Sequence, residues 1–283
     1  MANLIAIFFV LRPTQWLKNL ILLFPPFLGG ELFLPGILQK GIIPFASYCF
    51  ASSSAYVLND ILDRDNDKTH PKKRTRPISS GKLSISTAGI LYILLVGGAL
   101  FLAARLSKTF LFILLAYLLI SILYSLFLKR LPIVDLFCIS AGFLFRLQAG
   151  GEVFGVGISA WLFLSVFLLS IFLSTGKRLN EKNTLGHDAG IHRESLQHYP
   201  PGFLEGTMYM TGAAVLVTYT MYVISRHSLI YTVPLCCFGL LRYILRVKSG
   251  LGGDPTESLL KDASLFVVGI LWALMVGWGI YGG

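Results

Sequence analysis

GIIPFASYCFASSSAYVLNDILDRDND, residues 41–67, decides the fold and most of the chemistry. No charge interrupts residues 41–59, a run of about the length a helix needs to cross a bilayer. The run then ends in Asp60, Asp63, Asp65 and Asp67. On a helix, Asp60, Asp63 and Asp67 fall at i, i+3 and i+7 and share one face, while Asp65 points elsewhere. Three carboxylates on one face repel each other unless a cation neutralises them, and acids in a membrane helix mark function. Mg2+ suits such a site because it accepts one or two carboxylates together with phosphate oxygens and water. Asp60, Asp63 and Asp67 are therefore the candidate metal ligands and catalytic acids, with Mg2+ as cofactor and a diphosphate as the group held. The bland alternative is a helix end with solvated acids.

The rest of the chain repeats the apolar pattern. Of 283 residues, 55% are hydrophobic and 13% charged, against about 25% charged in an ordinary soluble domain. That excludes a water-soluble globule and predicts one all-α polytopic bundle spanning residues 1–283. Nine spans are expected near 16–34, 41–63, 84–104, 109–128, 132–151, 159–181, 203–225, 228–247 and 256–280. Residues 1–11 read as a helix lying on the membrane surface, without a cleavable signal. Pro25 and Pro26 should kink the first span, and Asp254-Pro255-Thr256-Glu257 should open the last. With the N-terminus inside, 19 of the 24 Lys and Arg fall in cytoplasmic segments and 4 outside, with Arg146 inside a span. This asymmetry sets the orientation and accounts for most of the net charge of +10, with no need for a nucleic-acid partner. The long polar loops 64–83 and 182–202 then face the cytoplasm of a bacterial inner membrane, and the active site with them. The four Cys lie in apolar blocks as packing residues, and none of His70, His187, His192, His198 and His227 sits in a metal-ligand pattern.

Immediately after the acids comes Lys68-Thr69-His70-Pro71-Lys72-Lys73-Arg74-Thr75-Arg76-Pro77-Ile78-Ser79-Ser80-Gly81. As a bland reading this is a topogenic loop. Its arginines nevertheless suit bidentate phosphate contacts, with Arg74 and Arg76 ahead of Lys72 and Lys73. The sequence N-D-x-x-D-x-x-x-D followed by H-P-x-K-R-x-R-P-I-x-S-G resembles the first Asp-rich motif of the UbiA superfamily of intramembrane prenyltransferases, and the likeness extends over nearly the whole chain. That resemblance implies a central cavity where Mg2+ holds a diphosphate, Asn59 beside the acids, and a side opening for a lipid chain. Tyr124 and Lys129, at the end of the fourth span, match a Tyr and Lys common in the family, and Lys129 is a candidate phosphate ligand.

One stretch departs from the family. A second acid pair is usual near the end of the sixth span, but here the chain reads Ser174-Thr175-Gly176-Lys177-Arg178-Leu179-Asn180-Glu181. Lys177 and Glu181 are i, i+4 neighbours, so the plain reading is an ion pair that leaves Arg178 free. The functional reading is a pocket for a further phosphate. This variant, with Arg12-Pro13-Thr14-Gln15-Trp16-Leu17-Lys18-Asn19, Arg146-Leu147-Gln148-Ala149-Gly150-Gly151 and Asp254-Pro255-Thr256-Glu257, resembles the superfamily's phosphoribosyl-transferring branch. The branch implies transfer of 5-phosphoribose from phosphoribosyl diphosphate (PRPP) to a polyprenyl, decaprenyl-like phosphate for arabinose-containing envelope polymers. Lys18, Arg74, Arg76, Lys129, Lys177, Arg178 and Glu181 would then line the substrate. Asp135 could pair with Lys129 or Arg130, and Arg146 needs a partner or a wet cavity. Two rivals stand: an aromatic prenyltransferase using an isoprenoid diphosphate, and a lipid or anion transporter with a degenerate metal site. The sequence leaves a homo-oligomer open.

Overall fold

In the computed structural model the described residues are 2–71, 73–186, 190 and 193–282. His187, His192 and Lys72 fall outside them, and nothing is said of the His227 side chain. All regular structure among the described residues is helical, as the composition requires. In chain order the helices are α1 Ala2–Leu11, α2 Phe24–Leu28, α3 Ile37–Leu62, α4 Arg64–Thr69, α5 Ile85–Ala104, α6 Lys108–Leu126, α7 Val134–Phe154 and α8 Ala160–Leu185. There follow α9 Glu194–Gln197, α10 Phe203–Ile224, α11 Val233–Lys248, α12 Pro255–Lys261 and α13 Ala263–Tyr281. Ser84, Ser107 and Ser159 open α5, α6 and α8 as side-chain caps for the third backbone N–H.

The bundle is inside-out relative to a soluble protein. Ile93, Phe112 and Trp278 are 68%, 70% and 78% exposed, whereas Asp60, Asp135 and Arg178 are 1% or less. Only a lipid surround makes such a distribution stable. Among the described residues, eight stretches are long and apolar enough to cross a membrane. α7 has the length of a ninth but carries Asp135, Arg146 and Glu152, so the expected nine is a count by length and eight a count by apolarity.

Two spans differ from expectation. The first stretch apolar enough to cross runs Ile5–Leu28 rather than 16–34. It is built as α1, a 3-10 segment Pro13–Leu23, and α2, with Arg12 between the first two at φ 52°. α1 buries Ala6 and Val10 and leaves Phe8 and Phe9 exposed. Past Pro25 and Pro26 the chain turns at Gly29–Gly30, and Gly30 has φ 80°. The last span is broken: Asp254 does cap α12, accepting the Glu257 N–H at 3.2 Å, but α12 stops at Lys261. Asp262, extended at φ −104°, then caps α13 through Leu265 N–H at 3.1 Å. Arg242 and Arg246 hold its carboxylate, so the break is pinned from α11.

α5 lies along α3, and α10 along α8. α7 runs between α6 and α8 and meets the 3-10 segment so closely that a Cβ on Gly150 would stand 2.2 Å from the Leu22 carbonyl oxygen. This packing gathers the ends of α3, α6 and α8 and the starts of the 3-10 segment, α7 and α12 at one end of the molecule.

Candidate active site

α3 ends at Leu62 and α4 begins at Arg64, so the acids straddle a helix break rather than one continuous face. Asp60 and Asp67 are nonetheless brought together: one guanidinium nitrogen of Arg76 donates to both, at 2.9 and 2.6 Å. Arg12 adds two hydrogen bonds to Asp60, at 2.6 and 2.8 Å. Asp63 turns to the side, accepting from Lys129 and, at 2.9 Å, from Asn59. The shared face predicted for all three acids thus holds for two of them, and the turn at Asp63 (φ −90°, ψ 3°) swings the third aside. Asp65 is exposed and pairs with Lys68. Burial pushes the Asp67 carboxyl above its ordinary value against the pull of Arg76, and burial lowers the neighbouring Lys73 ammonium.

The donor set fits a hard divalent cation. Two buried carboxylates already converge on a single positive nitrogen, and every oxygen is of the type Mg2+ takes. Among the described residues no group of three or more acids, His and Cys stands close enough to be a complete cage. Mg2+ commonly takes one or two carboxylates and completes its shell with phosphate oxygens and water.

A second cluster surrounds Arg178, and here the expectations need correcting. Arg178 is not free. It is 1% exposed and donates to Asp135 at 2.8 Å, Glu181 at 2.9 Å and the Tyr124 hydroxyl at 3.1 Å. Arg193 joins the same Tyr124 hydroxyl at 2.6 Å, and Tyr199 donates to Asp135 at 2.9 Å. Asp135 therefore pairs with Arg178 and Arg193, not with Lys129 or Arg130. Glu181 takes Arg178 one turn back rather than Lys177. The reason is reach: Arg178 alone has a fork able to serve three acceptors at once.

Lys177 points the other way, to Asp254 at 3.0 Å. Lys18, on the 3-10 segment, faces the same acid and makes no hydrogen bond or ion pair with a described residue. Burial would raise Asp254, but Lys177 and then Lys18 outweigh it and hold the carboxyl well below the usual range. Deeper in the bundle, Arg146 finds neutral partners: Asn19 at 2.7 Å, the Gly142 carbonyl at 2.7 Å and the Tyr117 hydroxyl at 3.0 Å. Tyr117 also stacks under it at 4.7 Å. Arg74 is exposed, with no partner for its guanidinium among the described residues.

Asp60, Asp63, Asp67, Asn59, Arg76 and Lys129 thus form one cluster. Tyr124, Arg178 and Glu181 form a second, and Lys18 with Lys177 a third. Arg12, Arg193 and Asp254 are partners that sequence reasoning placed only as an opening motif, a topogenic charge and a cap. Arg12 carried one readable signal, its place just before Pro13. A non-glycine residue at positive φ costs energy and collects at functional sites, and Arg12 and Ile133 both do so beside these clusters. Within the bundle, Phe24, Leu162, Val166, Tyr219 and Trp272 line an apolar cavity of about 260 Å3.

A lipid-facing helical bundle with charged clusters collected at one end is the architecture of an integral-membrane enzyme that handles an anionic substrate. The chain belongs to the UbiA prenyltransferase family, whose pattern matches residues 23–270. It is 31% identical to the decaprenyl-phosphate phosphoribosyltransferase of Corynebacterium glutamicum, over 96% of this chain and 85% of that one. It is 30% identical to the enzyme of the same name from Mycolicibacterium smegmatis, over 95% and 91%. Its fold is similar to that of a UbiA homologue from Archaeoglobus fulgidus solved with DMAPP and Mg2+, with a TM-score of 0.74 at 20% identity over 96% and 97% of the two chains.

Proposed function

We propose that this protein transfers 5-phosphoribose from PRPP to a polyprenyl phosphate, releasing diphosphate at the cytoplasmic face of the membrane. The observation that carries the reading is the unequal charge of the two sides of the site. Asp60 and Asp67 converge on one cation, while the position of the usual second acid pair holds Lys177, with Lys18 nearby making no hydrogen bond or ion pair with a described residue. The names of the relatives support it.

Asp60 and Asp67 would hold Mg2+, which supplies positive charge to the leaving diphosphate. Arg76 and Arg12 pair with these carboxylates and would be placed to contact phosphate oxygens beside a bound divalent ion. Lys129, tied by Asp63 and Asn59, stands beside them. Lys18 and Lys177 suit the 5-phosphate or the lipid phosphate. The lipid phosphate is already anionic at pH 7, so its oxygen attacks the anomeric carbon without a general base, opposite the leaving diphosphate. Catalysis is then positioning and electrostatics in a space shielded from water. The Arg178 cluster acts as the frame that fixes α6, α7, α8 and the segment carrying Arg193 and Tyr199.

The test is purified protein with PRPP, Mg2+ and a polyprenyl phosphate. Phosphoribosyl lipid and stoichiometric diphosphate are expected, and chelation of Mg2+ should stop both. Turnover of an isoprenyl diphosphate with an aromatic acceptor, and none of PRPP, would establish the rival prenyltransferase.

A further inference from the structure

Neither the phosphates nor the Arg178 frame explains the presence of Asp254. As a cap for α12 an asparagine or serine would serve equally well, without charge. As a neighbour of Lys18 and Lys177 it lowers their attraction for any phosphate. It is also firmly placed. A Cβ on Gly253 would stand 2.8 Å from the Gly176 carbonyl oxygen and 2.9 Å from the Lys177 Cα, so the turn is seated directly on α8. Tyr243 donates to the Gly253 carbonyl at 2.7 Å and locks the turn from α11.

Two other acids are crowded. Asp135 takes Arg178, Arg193 and Tyr199, and Asp60 takes Arg12 and Arg76. Asp254 has one side-chain partner, Lys177, and one backbone N–H. A carboxylate has about four acceptor positions, so two remain. Beside it, Asn180 presses its Cβ against Gly253 and buries an Oδ1 with no partner among the described residues. Acceptors in surplus call for a ligand that donates. Asp254 also lies near the acid cluster: the helix it caps, α12, packs on the 3-10 segment that begins directly after Arg12, the residue that binds Asp60.

We propose that Asp254, steadied by Lys177, accepts a hydrogen bond from the 2- or 3-hydroxyl of the ribose ring and so selects a pentose over an apolar chain between the two phosphate-binding poles. This deepens the proposed function and rests on it. Neutral hydroxyls are donors that phosphates and prenyl chains lack, and an acid on ribose hydroxyls is a recurrent solution in nucleotide sites.

The experiment measures kcat/KM for PRPP and for its 2-deoxy and 3-deoxy analogues in the wild type and in Asp254→Asn. Asparagine keeps the cap on α12 but loses the charge. The wild type should prefer PRPP over one analogue by about 10- to 100-fold, the range for a hydrogen bond to a charged group. In the variant that preference should collapse, because turnover falls on PRPP and on the analogue that keeps the bonded hydroxyl but not on the analogue that lacks it. Parallel losses on PRPP and both analogues would show a structural role and overturn the assignment. Wild-type protein that accepts both analogues as readily as PRPP overturns it without any variant. Wild-type protein that turns over no PRPP at all overturns the proposed function itself, and this assignment with it.

Discussion

Two arginines that look alike in the sequence have opposite roles. Arg178 is buried with Asp135, Glu181 and Tyr124 around it, so Arg178→Ala takes the paired cation from Glu181 and leaves Asp135 with Arg193. Breaking a buried pair costs about 3–5 kcal/mol, and thermal unfolding in detergent should show a large drop that Arg178→Lys fails to restore. An unchanged unfolding temperature with a raised KM would instead make Arg178 a substrate ligand. Arg74, exposed and without a guanidinium partner among the described residues, should give the reverse: Arg74→Ala leaves unfolding untouched and acts on PRPP binding. Asp60→Asn removes the acid shared by Arg12 and Arg76, and diphosphate release should fall by at least about 100-fold, since a bound metal ion is worth several kcal/mol to the reaction. Activity within tenfold of wild type would remove Asp60 from the site. The acid motif was legible because its acids stand close in sequence, although Asp60 and Asp67 meet across a helix break through Arg76 rather than on one continuous face. The fate of Arg178 was not, because Asp135 is distant in sequence and only the packing of α7 against α8 brings it within reach.

At the scale of elements, the bundle depends on places where backbones nearly touch. The 3-10 segment carries Lys18 and Asn19 into the core, and it can do so only because α7 has no side chain at Gly150. A methyl group there meets the Leu22 carbonyl oxygen at 2.2 Å, and neither backbone can yield without moving a whole element. Gly150→Ala should cost more than the 1–3 kcal/mol typical of overpacking, seen as loss of folded protein on size exclusion. Gly89→Ala, in open space on α5, is the control and should match or exceed wild-type stability, because alanine favours helix. Equal behaviour of the two variants would mean that the close approach is not required. Most spans could be read from their apolar runs because lipid imposes a length. The break at Asp262 could not, because it depends on Arg242 and Arg246 reaching over from α11.

The whole molecule must present its charged end to the compartment that holds its substrate. The fold brings the ends of α3, α6 and α8 and the starts of α7 and α12 to one side, and the loops on that side carry most of the 24 Lys and Arg. Lys and Arg accumulate in cytoplasmic loops because translocating them is unfavourable, so the acid cluster should face the cytoplasm, where PRPP is made. Lys82 lies exposed in the loop after the acids, and Lys108 lies exposed at the opposite end of the bundle. In intact cells a membrane-impermeant maleimide should label Lys108→Cys and leave Lys82→Cys untouched until the membrane is permeabilised. The unaltered protein sets the background, since Cys49 and Cys138 are buried and Cys236 and Cys237 half-buried. The reverse pattern would turn the charged end outward, separate it from cytosolic PRPP, and leave the 19-to-4 division of charge without a topological cause.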